Sequence, residues 1–185
     1  MNRPFASLAA NRTSANSASA APPLPLLARE VAAFAHMRVA ASFASAVPLD
    51  VDGRGRKIVV VPGFMASDQT TARLRKSLDG AGFHSFGWGL GRNMGVRADT
   101  LDRFDAQMQS HGLDSGVTLV GWSLGGLIAR EYAKYAPQRV ARVVTLGSPF
   151  SGDVRANNAW RVYEWIAGHK VDAPPIATVL SEKPP

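Results

Sequence analysis

From Ile58 onward the chain alternates between two patterns. The β-branched run Ile58–Val61 and the short segments Phe83–Gly87, Val117–Val120 and Val140–Leu146, rich in β-branched and aromatic residues, predict strands. Between them, Thr70–Leu78, Arg97–Gln109 and Leu124–Tyr135 carry apolar residues at helical spacing and predict helices. Pro62-Gly63 turns the chain after the first strand, Asp79-Gly80 closes the first helix and Pro137 stops the third. Buried-type strands alternating with helices of about 10–15 residues predict the α/β class. The expected architecture is doubly wound, a mostly parallel sheet with helices on both faces.

Upstream of that core the pattern changes. Residues 1–23 are rich in Ala, Ser, Asn and Pro and hold too few large apolar groups to bury a core, so a disordered tail is expected. A secretory signal needs an unbroken apolar stretch, and Asn11, Arg12, Thr13, Ser14 and Asn16 interrupt it. The sequence therefore reads as cytoplasmic. Residues 24–185 read as a single domain that opens with a helix over 24–47, where Leu27, Val31, Phe34 and Arg38 have helical spacing. Arg29, Glu30, His36 and Arg38 exclude a span, which needs about 20 nearly uncharged residues. An amphipathic helix here packs on the domain or lies on a membrane surface. Asp50–Arg56 is polar and glycine-containing, a loop.

Composition narrows the function classes. At 185 residues, 46% hydrophobic and 19% charged, the chain has the make-up of one globular domain. It has no cysteine, which removes disulfides and thiolate chemistry. His36, His84, His111 and His169 form no pair at ligand spacing, so no metal is expected. The net charge of +7 comes mostly from arginines dispersed among apolar and acidic residues. No basic run sits beside stacking aromatics, so nucleic acid is not an expected partner. Gly87-Trp88-Gly89-Leu90-Gly91-Arg92-Asn93 looks like a dinucleotide loop, but the spacing is not G-x-G-x-x-G. Gln107 and Gln109 stand where a ribose-binding acid would be, so no cofactor is expected. The segment reads as a substrate-side loop.

Gly121-Trp122-Ser123-Leu124-Gly125-Gly126 carries the chemistry. A serine hydroxyl is a weak nucleophile and must be held exposed near a base and near oxyanion donors. A sharp strand-to-helix turn does this, with small residues on either side because the helix packs close. Ser123 follows the Val117–Val120 strand and precedes the Leu124–Tyr135 helix, as that turn requires. The Leu124 N–H at the helix start is the expected first oxyanion donor. Phe64, after the strand ending in Pro62-Gly63, is the expected second donor, with Met65 as the alternative.

Pro62-Gly63-Phe64, Gly121–Gly126 and Gly147-Ser148-Pro149-Phe150 together resemble landmarks of lipase- and esterase-like α/β-hydrolases. They resemble the oxyanion turn, the nucleophile elbow and the loop after the following strand, over roughly residues 57–153. The resemblance implies hydrolysis of a small-molecule or lipid ester through an acyl-enzyme on Ser123. It also implies a triad in the order Ser, acid, His. Asp153 and His169 keep that order, although Asp153 comes one strand early and Asp172 would reverse it. The other reading is a shortened, catalytically impaired member lacking the family's acid and His. Residues 174–180 then begin a next strand, and a sheet ended early exposes an edge that invites a homodimer.

Overall fold

The computed structural model describes residues 45–148, together with 29, 32, 33, 164, 168 and 175. Four strands, β1 (Lys57–Val61), β2 (His84–Gly87), β3 (Val117–Trp122) and β4 (Val140–Leu146), alternate with three helices. The helices are α1 (Asp68–Gly80), α2 (Thr100–Ser110) and α3 (Leu124–Tyr135). All strand pairs are parallel, in the order β2-β1-β3-β4.

The period of two along β1 sorts its side chains between two cores. Val59 and Val61 join Val117 and Leu119, against Phe104 and Met108 of α2 and Ile128 and Tyr132 of α3. Ile58 and Val60 face the other way with Val120, against Leu74 and Leu78 of α1. Helices thus cover both faces, as expected for a doubly wound sheet. A strand buried on both sides has no polar face to show, which is why it reads as an unbroken apolar run.

The boundaries shift where polar side chains do local work. α1 begins at Asp68 rather than Thr70, because Ser67 precedes it in extended conformation and its N–H donates to Thr70 Oγ1 at 3.4 Å. It also runs through Asp79-Gly80, which lie inside the helix. α2 begins at Thr100 rather than Arg97, since Thr100 Oγ1 accepts the Arg97 N–H at 2.8 Å and holds 97–99 in a turn. β1 starts at Lys57, β2 starts at His84, and β3 continues to Trp122.

Of the helix expected over 24–47, Arg29, Ala32 and Ala33 are helical, whereas Ser45–Val47 are not. Those last residues are tied to α1 instead. The Val47 N–H donates to Ser77 Oγ at 2.8 Å, and Arg73 Nε donates to the Ser45 carbonyl at 2.9 Å. The tail of residues 1–23 lies outside the described residues. Among the described residues, no helix is long and apolar enough to cross a membrane.

A polar network ties α2 to α3 and to the approach to β4. Fully buried Tyr132 donates its hydroxyl to Asp105 Oδ1 at 2.7 Å, and Arg139 Nε donates to the same oxygen at 2.9 Å. Arg139 also reaches Asp114 at 2.8 Å. Burial pushes the Asp105 carboxyl up, but bonds from Tyr132 and Gln109 and the Arg139 charge outweigh it and hold the group below its ordinary 3.8. Burial and the bond to Asp105 both push the Tyr132 hydroxyl upward. A carboxylate with a lowered folded pKa adds stability above its unfolded pKa, and loses it as pH falls through the folded value. Urea midpoints should therefore drop as pH falls below about 4, and Asp105→Asn should flatten that drop. Equal slopes in the two proteins would exclude Asp105 as the source.

Candidate active site

β2 lies on one side of β1 and β3 on the other, so the strand order reverses between β1 and β3. In open α/β sheets the carboxyl ends of the strands at such a point bound a crevice where ligands bind. Two turns meet there. Val61 pairs with Gly121, so the Pro62-Gly63 turn after β1 stands level with Trp122-Ser123 after β3. A Cβ added to Gly63 would lie 3.2 Å from the Trp122 carbonyl oxygen and 3.4 Å from Ser123 Cβ. A larger residue there would need the two turns to part by a few tenths of an ångström.

Ser123 itself has φ 52° and ψ −121°, a positive-φ conformation that costs a non-glycine residue about 1–3 kcal/mol. The fold holds it from both sides. Its N–H donates to the Leu146 carbonyl at 2.9 Å, and its carbonyl accepts the Gly126 N–H at 2.9 Å. Three glycines let α3 start this tightly. A Cβ on Gly121 would strike the Gly125 carbonyl, one on Gly125 the Val61 carbonyl, and one on Gly126 the Ser148 hydroxyl. Leu124 opens α3 directly after Ser123. First-turn N–H groups have no acceptor within their own helix, and they carry the positive end of its dipole.

The turn after β1 is more constrained than its sequence reveals. Met65 has φ 58°, in the left-handed region that glycine favours. Its N–H donates to the Asn93 carbonyl at 2.7 Å, which removes Met65 as the alternative oxyanion donor. Asn93 is 0% exposed, and its side chain donates from Nδ2 to the Pro62 carbonyl at 2.8 Å. The Asn93 N–H donates to the Ala66 carbonyl at 2.8 Å, and Asn93 Oδ1 accepts the Gly95 N–H at 3.2 Å. At the other end of the glycine cluster, the Asp68 carboxylate accepts the N–H groups of Trp88 at 2.9 Å and Gly89 at 3.1 Å. Gly87 is needed there, since a Cβ would occupy the space of that carboxylate. Residues 87–93 thus brace the Pro62–Ala66 turn. The reading of the segment as a substrate-side loop missed this fastening, although a lone amide among glycines was its visible signal.

Of the expected site residues, the structure brings Phe64, Ser123 and Leu124 to the carboxyl ends of β1 and β3. Asp153 and His169 lie outside the described residues. His84 opens β2 and pairs with Lys57 at the amino end of β1, some four residues or about 13 Å of strand from the Ser123 end. His111 follows α2, with its ring 5.4 Å from that of Phe86 on β2, on the far side of β1 from β3. Its Nε2 lies 2.8 Å from Gln107 Nε2. Neither histidine is placed to take a proton from Ser123.

The sequence pattern of the alpha/beta hydrolase fold matches residues 58–170, more than half of the chain. The chain belongs to the alpha/beta hydrolase fold family. Within that family it is 32% identical over 114 residues to the pimeloyl-[acyl-carrier protein] methyl ester esterase of Photobacterium profundum, covering 60% of this chain and 43% of that protein. A 60-residue stretch is 43% identical to the Salmonella heidelberg protein of the same name, covering 32% of this chain and 23% of that one. The chain thus matches less than half the length of these hydrolase relatives. Among solved structures, the Paleococcus ferrophilus monoacylglycerol lipase superposes with a TM-score of 0.47 at 21% identity, over 66% of this chain and 50% of that one.

Proposed function

We propose that this chain is a serine carboxylic ester hydrolase that works through an acyl-enzyme on Ser123. The observation that carries the reading is the placement of Ser123 at the strand-order reversal, in a strained turn level with Gly63. In the proposed cycle Ser123 Oγ attacks the ester carbonyl, and its proton passes to a base. The tetrahedral oxyanion is received by the N–H groups of Leu124 and Phe64. Collapse expels the alcohol, which takes the proton, and a water activated by the same base releases the acid. His169, oriented by Asp153, is the proposed base. The named activity of the relatives, on a methyl ester of a carrier-bound acyl chain, favours an ester with an extended acyl group as substrate.

A fluorophosphonate probe tests this reading, because it reacts only with a serine that is both activated and faced by oxyanion donors. Stoichiometric labelling that disappears in Ser123→Ala is the expected result. An unlabelled, folded chain would instead support a hydrolase scaffold without its base. His169→Ala should slow both labelling and ester turnover by at least about 10³-fold, as loss of a triad base does. An unchanged rate would move the base elsewhere.

A homodimer along β4 is the proposed assembly, since Val144 and Leu146 on this outer strand of the described sheet are 38% and 42% exposed. A light-scattering mass that stays monomeric across concentration would dismiss it.

A further inference from the structure

We propose that Asn93 is a positioning residue, whose buried amide clasps the Pro62–Ala66 turn and keeps Phe64 facing Ser123; the link to catalysis rests on the serine hydrolase reading above. The turn closes on itself through one bond, from the Ala66 N–H to the Gly63 carbonyl at 3.1 Å, and that bond does not engage Met65. Met65 sits at φ 58°, where a side-chain-bearing residue is strained and relaxes to negative φ unless its surroundings forbid it. Three further backbone groups of the turn, at Pro62, Met65 and Ala66, bond to one residue outside it. Asn93 takes the Met65 N–H on its carbonyl at 2.7 Å, gives its own N–H to the Ala66 carbonyl at 2.8 Å, and gives Nδ2 to the Pro62 carbonyl at 2.8 Å. These bonds bracket Phe64 from both sides along the chain. Arg92 adds a longer contact, from Nη1 to the Met65 carbonyl at 3.3 Å.

The clasp is itself anchored. Asn93 is 0% exposed and its Oδ1 is engaged by the Gly95 N–H, so the amide cannot turn away without leaving buried polar atoms unpaired. Asp68 fixes the start of the same segment through Trp88 and Gly89, and Trp88 Nε1 closes it on the Gly91 carbonyl at 2.8 Å. Asp68 opens α1, the helix that follows the clasped turn. The turn is therefore enclosed between its own helix and a second segment fastened to that helix. Release of Met65 would rotate the peptide before it, which carries the Phe64 carbonyl, and would carry the Phe64 amide away from Ser123.

The experiment uses the full chain with Asn93→Ala, Asn93→Ala combined with Met65→Gly, and Tyr132→Phe. Tyr132 is a buried residue far down α3, so its change lowers stability without touching the turn. Hydrogen exchange at the Met65 amide should speed up at least about tenfold in Asn93→Ala, with Leu119 and Val120 unchanged. Fluorophosphonate labelling should slow by about 10- to 100-fold in the same protein, as expected when an oxyanion donor is misplaced. Glycine at 65 reaches positive φ without strain, so Met65→Gly should restore much of the labelling rate to the Asn93→Ala protein. Tyr132→Phe should label at the rate of the unsubstituted chain. Should Asn93→Ala not fold, Asn93→Ser keeps one hydroxyl donor and should show the same changes at smaller size. Unchanged turn exchange, or a labelling loss equal to that of Tyr132→Phe, overturns the clasp. An unsubstituted chain that does not label overturns the hydrolase reading instead, and the exchange data then decide the clasp alone.

Discussion

Ser123→Ala is expected to lower kcat on a short p-nitrophenyl ester by about 10⁴-fold or more and to leave KM within about threefold. The split follows from what the hydroxyl does. It forms a bond only in the transition state, so its loss removes little of the binding of the intact ester. Alanine also leaves the neighbouring geometry in place, because the turn is held by backbone bonds from Ser123 to Leu146 and from Gly126 to Ser123. The turn glycines and the start of α3 are untouched. Any residual rate would report the oxyanion donors and binding alone. Equal turnover in the two proteins would end the case for Ser123 as nucleophile, and a collapse of the melting transition would show that the hydroxyl has a structural role instead.

The largest expected effect on stability comes from Gly125→Ala, at about 2–4 kcal/mol destabilising. Helix propensity alone points the other way, since alanine is favoured over glycine inside a helix by about 1 kcal/mol. Sterics decide the sign. The new methyl would lie 2.6 Å from the Pro62 carbonyl oxygen and would also strike the Val61 carbonyl. Those are backbone atoms at the end of β1, a strand paired on both sides, and they have nowhere to move. α3 would have to lift off the sheet and give up contacts of Ile128 and Tyr132 with the core. Gly80→Ala, at the end of α1 with nothing within 4 Å of the added methyl, is the matched control and should be neutral or mildly stabilising. Urea unfolding of both variants at constant m-value checks the difference. A Gly125→Ala protein as stable as the parent would mean that α3 does not press on β1.

The same contacts separate what is legible in a sequence from what is not. β1 and β3 were readable because they are largely buried on both faces, and all but Lys57 and Thr118 of their residues are apolar or glycine. α3 and β4 were read to the residue, since a glycine turn and Pro137 bound them sharply. The starts of α1 and α2 were not, because Asp68, Arg97 and Thr100 are polar residues whose roles depend on partners distant in sequence or on a local side-chain bond. Ser123 stood out because its constraint is local, with small residues at fixed offsets around one strained position.

By itself the sequence determined the α/β class, the order of strands and helices, and a serine on a strand-to-helix turn. These follow from periodicity and from glycine spacing, which act over a few residues at a time. Only the tertiary structure decided that the strand order reverses between β1 and β3, and that the Pro62-Gly63 turn therefore lies beside Ser123. It alone decided that Met65 is spent on Asn93, and that Asp68 and Asn93 brace the turn from either end of residues 87–93. Hydrogen bonds between segments some thirty residues apart leave no period in the chain, because each needs only one polar residue at one place, and the fold supplies the place.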